Sequence, residues 1–180
     1  MKNKVNLDII VHDEQWLQAV DFDAIKVAEE LKDLAFGYVS VCDEAKKNIF
    51  SDSKSLAVTV CLSNDKEIHD LNKEFRNIDK ATNVLSFANI DDDEFWDHIN
   101  EDEVAELGDV ILAFETLENE AKTKNISVYA HYCHLLVHGF LHLLGFDHQN
   151  DKEAEEMETL ETDILAQFSI DDPYQEVEEA

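Results

Sequence analysis

Residues 138–148 read His-Gly-Phe-Leu-His-Leu-Leu-Gly-Phe-Asp-His, and more follows from this stretch than from any other. Residues four apart on an α-helix lie above one another on one face, so His138 and His142 aim two imidazoles at one point. Gly145 tolerates the left-handed conformation of a helix C-cap and predicts a stop there. The chain then turns back and carries His148 to the same point. Three imidazoles in an H-x3-H-x5-H pattern fill three corners of a tetrahedral site, and a catalytic zinc keeps the fourth corner open for water. The helix also offers a rival set, because His131, His134, His138 and His142 run at 3-4-4 spacing along one face. The set His138, His142 and His148 is preferred, since a trigonal site needs a ligand from off the helix. His134 is then a neighbour that faces substrate or supports a ligand. Asp147 is a candidate partner for a ligand imidazole or a metal-held water. A zincin peptidase would read H-E-x-x-H, with the glutamate as general base. Here that position is Gly139. The segment is a zincin-like metal-binding helix without the peptidase base.

Working outward, residues 127–144 form a long, strongly apolar helix, preceded by a helix over 114–124 and followed by one over about 152–168. The last carries Met157, Leu160, Ile164 and Leu165 on one side. Upstream, Val5, Leu7, Ile9 and Val11 alternate with other residues, a period-2 strand signal. Asp23 caps a helix with Ile25, Val27, Ala28, Leu31, Leu34 and Ala35 at helical spacing, and Gly37 is its expected stop. Residues 56–62 (LAVTVCL) read as a buried strand. Asn64 or Asp65 caps the next helix, 76–82 has loop character, and 84–87 and 108–113 read as strands around an acidic insertion. The order β, α, β, α, β, β, α, α, α predicts one α/β (α+β) domain over residues 1–168, with a small mixed four-stranded sheet packed with helices. Residues 169–180 are expected as an acidic tail. No G-x-G-x-x-G or P-loop is present, and the βαβ units are too few for a doubly wound nucleotide fold.

The chain has 180 residues, 14 basic and 42 acidic, for a net charge of −28. Such a charge argues against a broad basic nucleic-acid face and against docking on an anionic membrane. The imbalance is local: residues 1–90 carry 11 basic and 16 acidic side chains, residues 91–180 carry 3 and 26. Acidic runs of this kind usually form solvated faces. Cys42, Cys61 and Cys133 are widely spaced and read as reduced thiols of a cytoplasmic protein. No stretch approaches the length of a membrane span. Arg76 is the sole arginine, against 13 lysines.

With these residues in view, the sequence resembles the YbeY-type metal-dependent endoribonucleases. Residues 138–148 fit the family's H-G-x-L-H-L-x-G-x-D-H at every fixed position. Leu71-Asn72-Lys73-Glu74-Phe75-Arg76 and Ala81-Thr82-Asn83-Val84-Leu85-Ser86-Phe87 look like its L-N-x-x-[FY]-R and T-[DN]-V-L-S-F. Leu107-Gly108-Asp109-Val110-Ile111 and the pattern Met157, Glu158, Glu161, Ile164, Leu165 complete the match over about residues 55–168. Ala88 stands where the family commonly has proline. The resemblance implies one zinc ion per chain on His138, His142 and His148, with Arg76 as the functional arginine. It implies a single-strand-specific endoribonuclease acting in ribosomal RNA maturation and quality control. Its substrate would be presented within a ribonucleoprotein, where the ribosome or assembly factors offset the −28 charge. Two other readings stand beside it: a zincin-like hydrolase of another substrate, which Gly139 disfavours, and a non-catalytic ribosome-assembly factor with a structural metal.

Overall fold

The computed structural model describes residues 4–43, 47–50, 55–99 and 104–175. The alternating N-terminal segment forms strand β1 (Val5–Val11), which pairs in parallel with β2 (Ser55–Ser63). Leu56, Val58, Val60 and Leu62 of β2 are all buried on one side, as alternation requires. Strand β3 (Val84–Ala88) is antiparallel to β4 (Val104–Ala113), and β4 is parallel to β2. The order β1-β2-β4-β3 makes the expected mixed four-stranded sheet of a single α/β domain.

Two short helices, α1 (Gln15–Gln18) and α3 (Lys47–Phe50), flank α2 (Ala24–Cys42) in the first crossover. Asp23 caps α2 by accepting the Lys26 N–H at 3.0 Å. The expected stop at Gly37 is absent, and α2 runs through it to Cys42. A mid-helix glycine costs about 1 kcal/mol against alanine. Full burial of Val39 alone contributes about 1.5–3 kcal/mol, and the Tyr38 hydroxyl ties the same turn to Asp163 at 3.0 Å. Strand β4 likewise begins earlier than expected, at Val104. Ala105 and Leu107 are buried while Val104 and Glu106 face outward, so the end of the acidic segment joins the sheet by alternation. Earlier in that segment, α5 (Asp93–His98) follows a single 3-10 turn; residues 100–103 lie outside the described residues.

The sheet is covered unequally. On one side, Val110 and Leu112 share the main core with α2, α6 (Phe114–Lys124) and α7 (Val128–Leu143). On the other, α4 (Asp65–Arg76) packs Ile68 and Leu71 on Leu85, Ile111 and Ala113. Helix α8 (Asp151–Ala166) lies against α7, which is enclosed along most of its length. Two large polar side chains within this core are hydrogen-bonded: the Trp16 indole N–H donates to the Ser63 carbonyl at 2.7 Å, and the Tyr132 hydroxyl to the Ala24 carbonyl at 2.6 Å. Among the described residues no helix is long and apolar enough to cross a membrane.

Candidate metal centre

The local chain around α7 is shaped at both ends. Ser127 caps its start, accepting the Ala130 N–H at 3.0 Å. At its end the Gly145 N–H donates to the His142 carbonyl at 2.9 Å and the Phe146 N–H to the Leu141 carbonyl at 3.1 Å. This paired closure needs a left-handed residue, and Gly145 supplies it at φ 87°. The chain therefore reverses, and His148 comes back over the helix. Ring centroids lie 4.5 Å apart for His138 and His142, 5.3 Å for His142 and His148, and 5.7 Å for His138 and His148. One ring nitrogen from each lies within 4.8 Å of the others. The Nε2 atoms of His138 and His142 are 3.0 Å apart. Tetrahedral zinc with Zn–N bonds of about 2.0–2.1 Å separates its nitrogens by about 3.3 Å, so the His138–His142 pair matches such an ion to a few tenths of an ångström and His148 lies within reach as the third ligand.

A buried carboxylate orients this group. Glu161 of α8 has a fully buried side chain, and its Oε1 accepts from His138 Nδ1 at 2.5 Å. That bond places the His138 proton on Nδ1 and leaves Nε2 with a lone pair facing the cluster. The other Glu161 oxygen meets His134 Nε2 at 3.1 Å and the Tyr174 hydroxyl. Burial pushes the Glu161 carboxyl up, but the His134 and His138 hydrogen bonds outweigh it and hold the group at about 2. Burial, then the neighbouring His138 and His148, lower His142 to about 4, which keeps it neutral with a lone pair available. Burial and the adjacent Glu161 charge raise the Tyr174 phenol.

His134 therefore sits beside the carboxylate that holds His138. His131, the outer member of the rival set, turns away: its Nε2 donates to Glu120 at 2.6 Å, and Glu120 also accepts from Asn83 at 2.9 Å. Asp147 accepts from the His148 backbone N–H and from Gln149 Nε2, both at 2.8 Å, and so shapes the turn that presents His148. This differs from its expected role toward an imidazole, because the turn's own donors are closer in sequence and already aligned. Gly139 faces the sheet. A Cβ there would lie 2.6 Å from Val110 Cγ1, so the position used for a zincin base serves close packing of α7 on β4.

The three histidines open onto a cavity of about 410 Å³ that is also lined by Arg76, Thr82, Asn83, Ser86 and Asp91. Arg76 is the last residue of α4, not part of the following loop. Asn77 then caps α4 in the left-handed conformation, φ 57°, and turns the chain toward β3. In the sequence Glu161 stands only within a motif, and nothing local marks its position against His138. The sequence also places Tyr174 in an acidic tail, whereas the hydroxyl lies against His134 at 3.2 Å and Ile170 packs on the core. Residues 176–180 of that segment lie outside the described residues.

The family model described as "Endoribonuclease YbeY" matches residues 4–169 of this chain. Three curated relatives carry the same name. One from Bradyrhizobium diazoefficiens is 45% identical over 130 residues, covering 72% of this chain and 70% of the relative. One from Paramagnetospirillum magneticum is 48% identical over 119 residues, covering 66% and 71%. One from Francisella tularensis subsp. holarctica is 50% identical over 117 residues, covering 65% and 70%.

Proposed function

This chain belongs to the endoribonuclease YbeY family, and from that membership we propose that it cuts single-stranded ribosomal RNA in ribosome maturation and quality control, with zinc on His138, His142 and His148. It is an enzyme of a metal-dependent family that hydrolyses RNA. The observation that carries the finer reading is the meeting of three imidazoles and the chain's only arginine on one open cavity.

A divalent cation bound there supplies Lewis-acid polarisation of a phosphoryl oxygen and acidifies water. The protein's own groups do the rest. Glu161 fixes the tautomer and tilt of His138. Asp147 holds the turn that carries His148. Arg76 presents a planar donor fork across the cavity, suited to two oxygens of one phosphate where an ammonium acts as a point charge. That fork stabilises charge as it builds on the phosphorus oxygens. The three free thiols and a ribosomal substrate fit the cytoplasm. The −28 charge fits RNA that arrives already bound to basic ribosomal proteins or assembly factors.

The test is cleavage of a precursor ribosomal RNA fragment by metal-loaded wild type and by Arg76→Lys. Wild type should cut single-stranded segments and spare duplex. Arg76→Lys, folded and with unchanged metal content, should be slower by on the order of 100-fold. Equal rates would remove the phosphate-holding role from Arg76.

A further inference from the structure

On the sheet face away from α7, three donor side chains of unlike chemistry meet. His12 directly follows β1, Cys61 lies in β2 opposite Ile10, and Glu67 stands in the first turn of α4. Cys61 alternates with the core residues Val60 and Leu62 and so points to the side that α4 covers only in part. Its Sγ is 3.4 Å from His12 Nδ1, which is 2.9 Å from Glu67 Oε2. One ligand atom from each lies within 4.8 Å of the others. We propose that His12, Cys61 and Glu67 form a second metal site, separate from the imidazole centre, for a borderline-soft divalent cation of the zinc class.

The geometry is close to what such an ion needs. Bonds of about 2.3 Å to sulfur and 2.0–2.1 Å to nitrogen and oxygen imply S···N near 3.5 Å and N···O near 3.3 Å. The observed separations fall within a few tenths of an ångström of these. The thiolate and imidazole select against magnesium and calcium, which take oxygen ligands. Burial first, then the Glu67 and Asp109 charges, push the Cys61 thiol up to about 11, so the two carboxylates give the pocket a negative field that a cation would offset. Glu67 is pre-positioned: Asn64 Oδ1 accepts its N–H at 3.0 Å, and the Ser63 hydroxyl donates to its carboxylate. His12 and Glu67 are 44% and 46% exposed, which leaves an entry path and room for a water as fourth ligand. On binding, the thiol proton leaves to solvent. The ion would join the end of β1 to β2 and the start of α4, since His12 lies 49 residues from Cys61 and 55 from Glu67 in sequence.

The test uses full-length protein and cobalt(II) as the probe, in a His138→Ala/His142→Ala background that disables the α7 cluster. A thiolate-to-cobalt charge-transfer band should grow to one equivalent and be displaced by zinc. Cys61→Ser in the same background, with its fold checked by circular dichroism, should abolish the band. His12→Gln, an exposed position, should weaken cobalt binding by more than about tenfold, because even outer partners of metal ligands cost about 10–100-fold when lost. Absence of the band in folded protein, or its survival in Cys61→Ser, would overturn the site. The band reports sulfur alone, so the result is independent of which imidazoles bind metal on α7 and of RNA cleavage.

Discussion

Helices α7 and α8 lie side by side with opposite compositions. Helix α7 contains no Asp, Glu, Lys or Arg, and its titratable groups near neutral pH are four histidines. Helix α8 carries seven acidic residues and one lysine. The core around α7 leaves each histidine a defined environment. Most acids of α8 face solvent, and Glu161 alone among them is buried, on the face shared with Met157, Ile164 and Leu165. Seven similar side chains thus divide into one that orients a candidate ligand and others that supply surface charge. Packing against α7, not composition, makes that division.

The comparison can be strained first by pH, in metal-free protein. His142 of α7 is held at about 4, below its usual 6.5, so its contribution to stability is complete above pH 6.5 and is lost as pH falls toward 4. Glu161 of α8 is held at about 2, below its usual 4.5, so its contribution is complete above pH 4.5 and is lost toward pH 2. Each window carries on the order of 3 kcal/mol. Denaturant titrations across pH should show both, and Glu161→Gln should erase the lower window while leaving the upper. The second strain acts on the metal. Glu161→Gln should weaken divalent-metal binding at the histidines by about 10–100-fold, measured by competition with a chelating dye. The third acts on the α7 seat: Gly139→Ala places a methyl against Val110 and should destabilise the fold by about 1–3 kcal/mol in denaturant unfolding. The smallest effect sharpens the contrast within α8. Glu158→Gln, at an exposed position one turn from Glu161, should shift stability by no more than about 0.5 kcal/mol and leave metal affinity unchanged.

Much of this arrangement was legible before the structure. Period-2 alternation located β1, a short β-branched apolar run located β2, Asn64 or Asp65 marked the start of α4, where Asn64 is the cap, and Ser127 with Gly145 bracketed α7. The spacing of His138, His142 and His148 foretold their convergence because helix geometry and a glycine reversal are local. The remainder depended on distant contacts. The continuation of α2 through Gly37 rests on burial of Val39 and a bond to Asp163 of α8. A 3-4-4 run of histidines does not say which one turns to Glu120 on another helix. Glu161 did leave a signal, an acid on the apolar side of an amphipathic helix, where a buried charge demands partners. The six other acids of α8 masked it. Tyr174 left none, since its contact with Glu161 depends on the chain folding back after α8.

Cleavage of a ribosomal RNA precursor by metal-replete wild type and by His138→Ala tests the central claim most directly. Wild type should cut single-stranded regions, stop when chelated and recover with zinc. His138→Ala, folded by circular dichroism, should neither cut nor recover. Cleavage by His138→Ala at the wild-type rate would contradict the claim that these imidazoles hold the catalytic ion.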